Sequence, residues 1–511
     1  MNFDPTPTFQ KLIREVIKDL SIFHENEKYK LTVMNPQTPK MYSLLKLHKN
    51  NMPIRPVVSY ITAPSVKLSN KLIEIITKYC NFKSKFSIKN SFELVENIKN
   101  INIPNNAKLI SFDVQNLFPS IPPNETLILV EELLTKNNTN YIIKQDILEA
   151  LSVCLDQNYF EFDNTVYISK EGLIMGNPLS PLLAEIFMDN LEKVIHQHNL
   201  SNNFLYWYRY VDDILACFVG TERQLQSFLN YINSIHTNIK FTLEIKQNNS
   251  INFLDLTITK QNNKHDFSIF HKPSYTDITI HNKSSHPYTH KISAFNSFIH
   301  RLLNIPLSKE NFNKELNIIK QMAVNNGYQA NMIDTIIHKK QHKKAISLVY
   351  PSSKFKDNSG YKTLTYTGKI TQKTAKHLIK RNVKIAYRTN NTLGKLIKNN
   401  KTKTKKENKC GVYKLSCGSC PKIYIGQTGR SFGKRIKEHE TSYNKKHSNS
   451  HYATHLNNEQ HIFNNNFEIL HLENKSLKLN FLESMEINKH KKSNILLNDQ
   501  VDLNDSPLLN L

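Results

Sequence analysis

The chain is poor in acidic residues, in cysteine and in long apolar runs, and each shortage excludes something. Its 43 Asp and Glu stand against 68 Lys and Arg, a formal charge of +25. A surplus that large points to a polyanionic partner, most often nucleic acid; a Lys/Asn-rich codon bias is the bland contributor. Six cysteines in 511 residues make no disulfide framework, and only Cys410, Cys417 and Cys420 fall together, which reads as an intracellular chain with at most a local metal site. No stretch approaches the roughly 20 apolar residues that a membrane helix needs. The start, "MNFDPTPTFQ", lacks a basic segment followed by an apolar one, so secretion is not expected. No internal repeat is visible. What the chain does have is 39% hydrophobic content with 26 Phe and 22 Tyr, enough for folded cores.

Residues 1–40 carry a helical pattern in "FQKLIREVIKDL". From "YSLLKLHK" to about residue 260, short apolar strands alternate with amphipathic helices; "SPLLAEIFMDNLEKVIHQ" is a helix opened by Ser180 and Pro181. Residues 287–340 read as helical again. The stretch 394–409, "GKLIKNNKTKTKKENK", has seven lysines, one glutamate and no apolar face, and reads as a mobile basic linker. A compact unit follows it.

"YRYVDDILACF" puts Asp212 and Asp213 between two apolar, aromatic arms. The pattern predicts a β-hairpin with Val211, Asp212 and Asp213 at the bend; a surface hairpin with turn-favouring aspartates is the plain alternative. A third carboxylate, on a second element, shifts the balance. "KLISFDVQNLFPSIP" is a strand ending at Asp113, where a lone charge in an apolar strand needs a partner. Three such carboxylates suit Mg²⁺ (or Mn²⁺), which favours carboxylates plus substrate phosphates over a full protein cage.

At this point the sequence resembles a known family. "SFDVQNLFPSIP", "GLIMGNPLSPLLAEIFMDNLE" and "YRYVDDIL" are similar, in order and spacing, to motifs A, B and C of the reverse transcriptase palm. "MYSLLKLHKNNMPIRPVVSYITAPSVKLSNKL" resembles the fingers motifs. "INFLDLTI" followed by "FHKPSYTDITIHNKSSHPYTHKISAFNSFIHR" resembles Penelope-like retroelements, whose polymerase is related to telomerase reverse transcriptase. The polymerase resemblance covers about residues 35–305. It implies an α+β, right-hand polymerase of fingers, palm and thumb-like helices. Asp113 and Asp212 would be metal ligands with Asp213 beside them, and Phe118 would exclude a ribose 2′-OH. Arg55 would clamp the triphosphate, with Lys46 or Lys49 as its companion. Gly176, Asn177 and Pro178 would floor the nascent base pair, and His271 and Lys272 would lie near the primer terminus. Solvated lysines and an ordinary core phenylalanine are the alternatives for those positions.

"CGVYKLSCGSCPKIYIGQTGRSFGKRIKEHE" reads as strand, turn, strand, helix, with Arg435 and His439 on one helix face. With a later carboxylate, this order resembles the GIY-YIG endonuclease family over about residues 410–500. The resemblance implies that Tyr413 and Tyr424 orient water, that Arg435 neutralises the scissile phosphate beside His439, and that Glu483 binds a metal, Glu486 being the nearby alternative. Asn498 matches a later asparagine of that site. Cys417 and Cys420 form a C-x-x-C knuckle, and His455 and His461 follow at H-x₅-H spacing. Together they suggest a structural Cys₂His₂ zinc site, with Cys410, His447 and His451 as substitute ligands.

The expected organisation is therefore an N-terminal helical extension (1–40), fingers and palm (41–305), a thumb-like basic region (306–393), the linker (394–409), the nuclease (410–500) and a tail (501–511). The resemblance implies an RNA template, a DNA primer, target DNA and dNTPs as partners, no membrane, and a nuclear site of action. Penelope-like elements usually carry a longer region before the fingers, which implies a missing N-terminal RNA-binding part. A copy that only binds nucleic acid, or that retains nuclease activity alone, is the competing expectation.

Overall fold

The structure, a computed structural model, describes residues 3–46, 52–245, 249–349, 360–389, 405–446, 450–490 and 495–498. Lys49, His447, most of the lysine-rich linker and the tail from 501 lie outside the described residues. The chain is α+β. Among the described residues, no helix is long and apolar enough to cross a membrane.

The central element is a four-stranded antiparallel sheet in the order Phe204–Tyr210, Asp213–Val219, Ala107–Val114, Phe241–Ile245. Two middle strands buried on both faces have to be apolar nearly throughout, and Ile214 to Phe218 are indeed all buried. On one face lie the helices Val66–Cys80, Pro123–Lys136, Tyr141–Asp156, Ser180–Ile195 and Glu222–Ile235, enclosing a core that includes Leu72, Phe112, Val130, Leu151, Phe187 and Phe228. The other face packs Leu109, Leu215 and Cys217 against the meander Ser250–Phe253, Leu256–Gln261 and Lys264–Ile269. The N-terminal pattern resolves into two helices, Thr6–Asp19 and Glu25–Leu31, the first burying Ile13, Val16 and Ile17.

A second sheet, in the order Ile54–Ser59, Lys40–Leu45, Tyr159–Phe162, Thr165–Ile168, stands beside it. After the meander come the helices Tyr288–Lys291, Ser293–Asn304, Lys309–Asn325 and Asn331–Val349, with Phe295, Ile299, Leu302, Ile319 and Ile333 as their own core. The region expected to be thumb-like also holds a parallel strand pair, Lys362–Thr365 with Ile385–Arg388, connected by the helix Lys369–Ile379.

The C-terminal unit is a three-stranded antiparallel sheet, Ile423–Thr428, Gly411–Ser416, Phe467–Leu472 in that order. The helices Phe432–Asn444, His451–Asn458 and Leu477–His490 accompany it.

Candidate active sites and metal centre

The aspartates meet at one end of the central sheet. Asp113 sits directly across from Asp213 in the antiparallel register, and the Val114 N–H donates to the Asp212 carbonyl at 3.0 Å. The bend is tighter than expected. Val211 and Asp212 make a two-residue turn, and Asp213 is already the first residue of its strand. Val211 has φ +58°, a value that Gly would adopt freely in a hairpin turn but that costs a β-branched residue roughly 1–3 kcal/mol.

A cleft of about 280 Å³ opens here, lined by Ser111, Asp113, Asp213, Thr242, Glu244 and Asn252 among others. Glu244 comes from the neighbouring strand, opposite Ser111, and no motif in the sequence singles it out. The donor set is hard oxygen and suits a divalent cation. The carboxylates share an edge of the sheet, but Asp113, Asp212 and Asp213 are not drawn into one group with all ligand oxygens within 4.8 Å; among the described residues only a Cys/His set meets that condition.

The expected nucleotide-side residues come from several elements. Lys46 continues the hairpin ladder through its N–H to the Pro53 carbonyl, 3.0 Å, and Leu44 pairs with Arg55. Directly opposed and alternate strand residues point the same way, so Lys46 and Arg55 share a face of that hairpin; Arg55 is exposed. Gly176 has φ +113°, and a Cβ there would lie 1.9 Å from the Val58 carbonyl oxygen. That close approach, with the Val58 N–H donating to the Met175 carbonyl at 2.8 Å, seats the Gly176–Pro178 loop against the Arg55 strand. Asn177 is buried and caps the turn, its Oδ1 accepting from the Leu179 N–H at 3.0 Å. Phe118 is half-buried against the main core. His271 is held by Glu315, Nε2 to Oε2 2.9 Å, while Lys272 is exposed.

In the C-terminal sheet, Tyr413 opposes Gly426 and Leu415 opposes Tyr424, which puts both tyrosines on one face. A Cβ on Gly426 would meet the Tyr413 hydroxyl at 2.6 Å. Tyr413 is fully buried, and its hydroxyl meets His439 Nε2 at 2.7 Å and receives a hydrogen bond from Arg435 Nε at 3.3 Å. The expected pairing of Arg435 with His439 on one helix face thus converges on one phenol. His439 Nδ1 meets Ser450 Oγ at 2.6 Å; no motif in the sequence marks Ser450. Burial first, and then the Arg435 charge, pull the His439 imidazole down to about 4. Burial pushes both tyrosine hydroxyls up.

Glu483, from the helix Leu477–His490, accepts from Gln427 Nε2 at 2.7 Å, and burial pushes its carboxyl up. Glu486 is engaged elsewhere, with His471 Nε2 at 2.7 Å and Lys489 Nζ at 2.6 Å. Asn498 is a backbone clamp: its Oδ1 accepts from the Ile425 N–H at 3.0 Å and its Nδ2 donates to the Ile425 carbonyl at 2.6 Å. It fixes the strand between Tyr424 and Gly426.

Cys417, Cys420, His455 and His461 bring their four ligand atoms within 4.8 Å of one another. Cys417 Sγ lies 3.3 Å from His461 Nδ1, and Cys420 Sγ 3.3 Å from His455 Nε2. Tetrahedral zinc spaces sulfur and nitrogen ligands by about 3.6 Å, so the set can hold such an ion. Cys410 instead donates to Asn474 Oδ1 at 3.3 Å, and neither it nor His451 belongs to the group.

Fold and sites together define a chain with an aspartate-edged sheet of polymerase type and a separate small sheet built around two tyrosines, an arginine and a glutamate. Family models name the two. "Reverse transcriptase (RNA-dependent DNA polymerase)" matches residues 47–251 and "GIY-YIG catalytic domain" residues 409–488. The chain carries a reverse transcriptase domain and a GIY-YIG domain. "Animal helix-turn-helix domain" matches residues 278–338 between them; the sequence pattern predicts helices there but does not mark this unit.

A search of curated proteins finds no match. Among solved structures, a telomerase from Candida albicans in complex with a TWJ fragment of telomeric RNA aligns at 11% identity and TM-score 0.45, over 68% of this chain and 65% of that one. Apo telomerase from Candida tropicalis aligns at 14% and 0.39, over 65% and 63%. A Sicinivirus 3Dpol RNA-dependent RNA polymerase aligns at 14% and 0.39, over 65% and 71%.

Proposed function

We propose that this chain is the RNA-directed DNA polymerase of a Penelope-like retroelement, joined to a GIY-YIG endonuclease that nicks target DNA and so supplies the primer 3′-OH. The reading rests above all on Asp113 standing across from Asp213, beside the Asp212 turn, within a reverse transcriptase domain. Asp113 and Asp212, with Asp213 alongside, would hold Mg²⁺ or Mn²⁺. Two such ions would supply Lewis-acid activation of the attacking 3′-oxygen and charge stabilisation at the departing pyrophosphate.

The chain's own residues do the rest. Arg55 and Lys46, on one hairpin face, grip the dNTP triphosphate. Phe118 lies flat under the sugar, and the Gly176–Pro178 loop supports the new base pair. The helices of 278–349, with the exposed Lys339, Lys343 and Lys344, contact the backbone of RNA template and DNA primer by charge rather than sequence.

In the nuclease, Tyr413 and Tyr424 orient water, Arg435 neutralises the scissile phosphate, and Glu483 holds the divalent ion. The Cys417–Cys420–His455–His461 set holds structural zinc. Action on chromosomal DNA would put the activity in the nucleus.

Primer extension on a poly(rA) template with Mg²⁺ tests the polymerase, and plasmid nicking tests the nuclease. Asp212→Ala should abolish extension and spare nicking, and Glu483→Ala should do the reverse. No product from well-folded wild-type protein refutes the polymerase assignment. Unchanged nicking by Glu483→Ala refutes the metal assignment there.

A further inference from the structure

The positive charge in "YRYVDDIL" belongs to Arg209, and it does not face the aspartates. Its side chain is wholly buried. Nε donates to Glu192 Oε2 at 3.0 Å, Nη1 and Nη2 donate to the two oxygens of Glu185 at 3.1 and 3.2 Å, and Nη1 also donates to the Val211 carbonyl at 3.3 Å. The other oxygen of Glu192 accepts from Trp207 Nε1 at 3.0 Å. Glu185 and Glu192 are two turns apart on one face of the helix Ser180–Ile195, the helix that begins just after Asn177 and Pro178.

A network of this kind is a poor way to stabilise a core, because the desolvation of the ions offsets their attraction and apolar side chains of similar volume do as well. The feature no apolar residue could reproduce is the bond to Val211. That carbonyl belongs to the residue at φ +58°, a backbone state that persists only where its surroundings over-determine it. The next carbonyl, that of Asp212, is taken by the Val114 N–H at 3.0 Å. Two consecutive carbonyls of the aspartate turn are therefore pinned in different directions. One is tied through Arg209 to the helix behind the base-pair floor, and the other to the strand of Asp113. Between them they fix where the Asp212 carboxylate can reach relative to Asp113.

We propose that Arg209, held by Glu185 and Glu192, is a positioning residue for nucleotidyl transfer: it locks the Val211–Asp212 turn so that Asp113 and Asp212 can share a divalent cation. The proposal rests on the polymerase reading above, and its test separates the two. The variants are the charge-balanced R209M/E192Q pair, in which the amide oxygen that replaces the Glu192 carboxylate can still accept from Trp207, and E185Q alone, which weakens the bidentate contact at a partly exposed carboxylate.

Mn²⁺ binding to the full chain is followed by electron paramagnetic resonance, and the D212A-sensitive site is taken as the aspartate site. Both variants should keep the wild-type melting profile to within a few degrees and weaken that site, R209M/E192Q by about tenfold and E185Q by a few-fold. In primer extension kcat should fall at least thirtyfold for R209M/E192Q while KM for dNTP moves less than threefold. If wild-type protein binds Mn²⁺ at the D212A-sensitive site but extends no primer, the polymerase reading fails and the binding arm still decides the role of Arg209. Variants with wild-type Mn²⁺ affinity overturn the proposal, whether or not their melting temperature falls. So does a wild-type chain with no D212A-sensitive Mn²⁺ site.

Discussion

Acidification from pH 7.5 to 5 should loosen the nuclease sheet through one residue, His439. Its ring is buried between the Tyr413 hydroxyl and Ser450 Oγ, faces Arg435 and Glu438 on its own helix, and sits against Tyr424 and Tyr452. In the folded chain it titrates at about 4, whereas an exposed imidazole titrates near 6.5. The unfolded chain therefore takes up the proton first as pH falls, so stability is full above the unfolded value and drains away between about 6.5 and 4. Each unit of pKa difference is worth about 1.4 kcal/mol, so the whole shift amounts to roughly 3 kcal/mol. By linkage, about 2 kcal/mol of that is already lost at pH 5, a roughly thirtyfold rise in the opening equilibrium.

Hydrogen exchange followed by mass spectrometry on the full chain reads this directly. The peptides to follow cover Gly411–Ser416 and Ile423–Thr428, with rates corrected for intrinsic pH dependence. Wild type should lose protection in those strands as pH falls from 6.5 to 5. His439→Gln, which keeps an amide donor and acceptor but has no proton to gain, should lack that added slope. Equal slopes in the two proteins would refute the assignment of a buried, neutral imidazole.

Three other outcomes follow from the geometry. Gly176→Ala should cut primer extension at least a hundredfold while leaving nicking intact, since its Cβ would stand 1.9 Å from the Val58 carbonyl oxygen at a φ of +113°. Cys417→Ser should lower zinc, measured by elemental analysis of the full chain, from about one ion to none, and should raise hydrogen exchange in the helix His451–Asn458. Glu486→Gln should cost about 1–3 kcal/mol in denaturant unfolding because it weakens the contacts to His471 and Lys489, while nicking per folded molecule stays within a few-fold of wild type.

What could be read from the sequence was what short-range periodicity encodes. The apolar run in "AKLISFDV" and the two arms around the aspartates predict adjacent strands, because a strand buried on both faces has little freedom of composition. Arg435 and His439 converge because four residues make about one helical turn. Cys417, Cys420, His455 and His461 could be grouped because ligand types announce themselves. The missed features depend on register and tertiary position. Glu244 reaches the aspartate cleft only because its strand pairs with that of Asp113 in one particular register. Ser450 meets His439 across a helix–helix junction. The positive φ of Val211 runs against the preference of its own side chain, so local propensity places the bend one residue too wide and includes Asp213. The strand pair at Lys362–Thr365 and Ile385–Arg388 is short, on the order of four residues each, which is too little for a periodic signal.

The two centres share one physical pattern, and it explains why charges in "YRYVDDIL" are ambiguous in the sequence. Most ionisable groups that would act on a phosphate or a metal lie at an edge: Asp213 is exposed, Asp113 and Asp212 are half-exposed, and Arg435 lines an open cleft, while Glu483 is the exception, half-buried against Gln427. The fully buried ionisable groups are turned toward other protein groups. Arg209 faces Glu185, Glu192 and the Val211 carbonyl, and His439 faces Tyr413 and Ser450. Burying an ionisable group is tolerable only when its partners are fixed, and fixed partners in turn hold the backbone or phenol that the edge residues depend on. A charge inside an apolar run is therefore ambiguous in the sequence, because the acting aspartate and the supporting arginine share "YRYVDDIL". Only the register separates them: Arg209 lies opposite buried Ile214, whereas Asp213 lies opposite Asp113 at the mouth of the cleft.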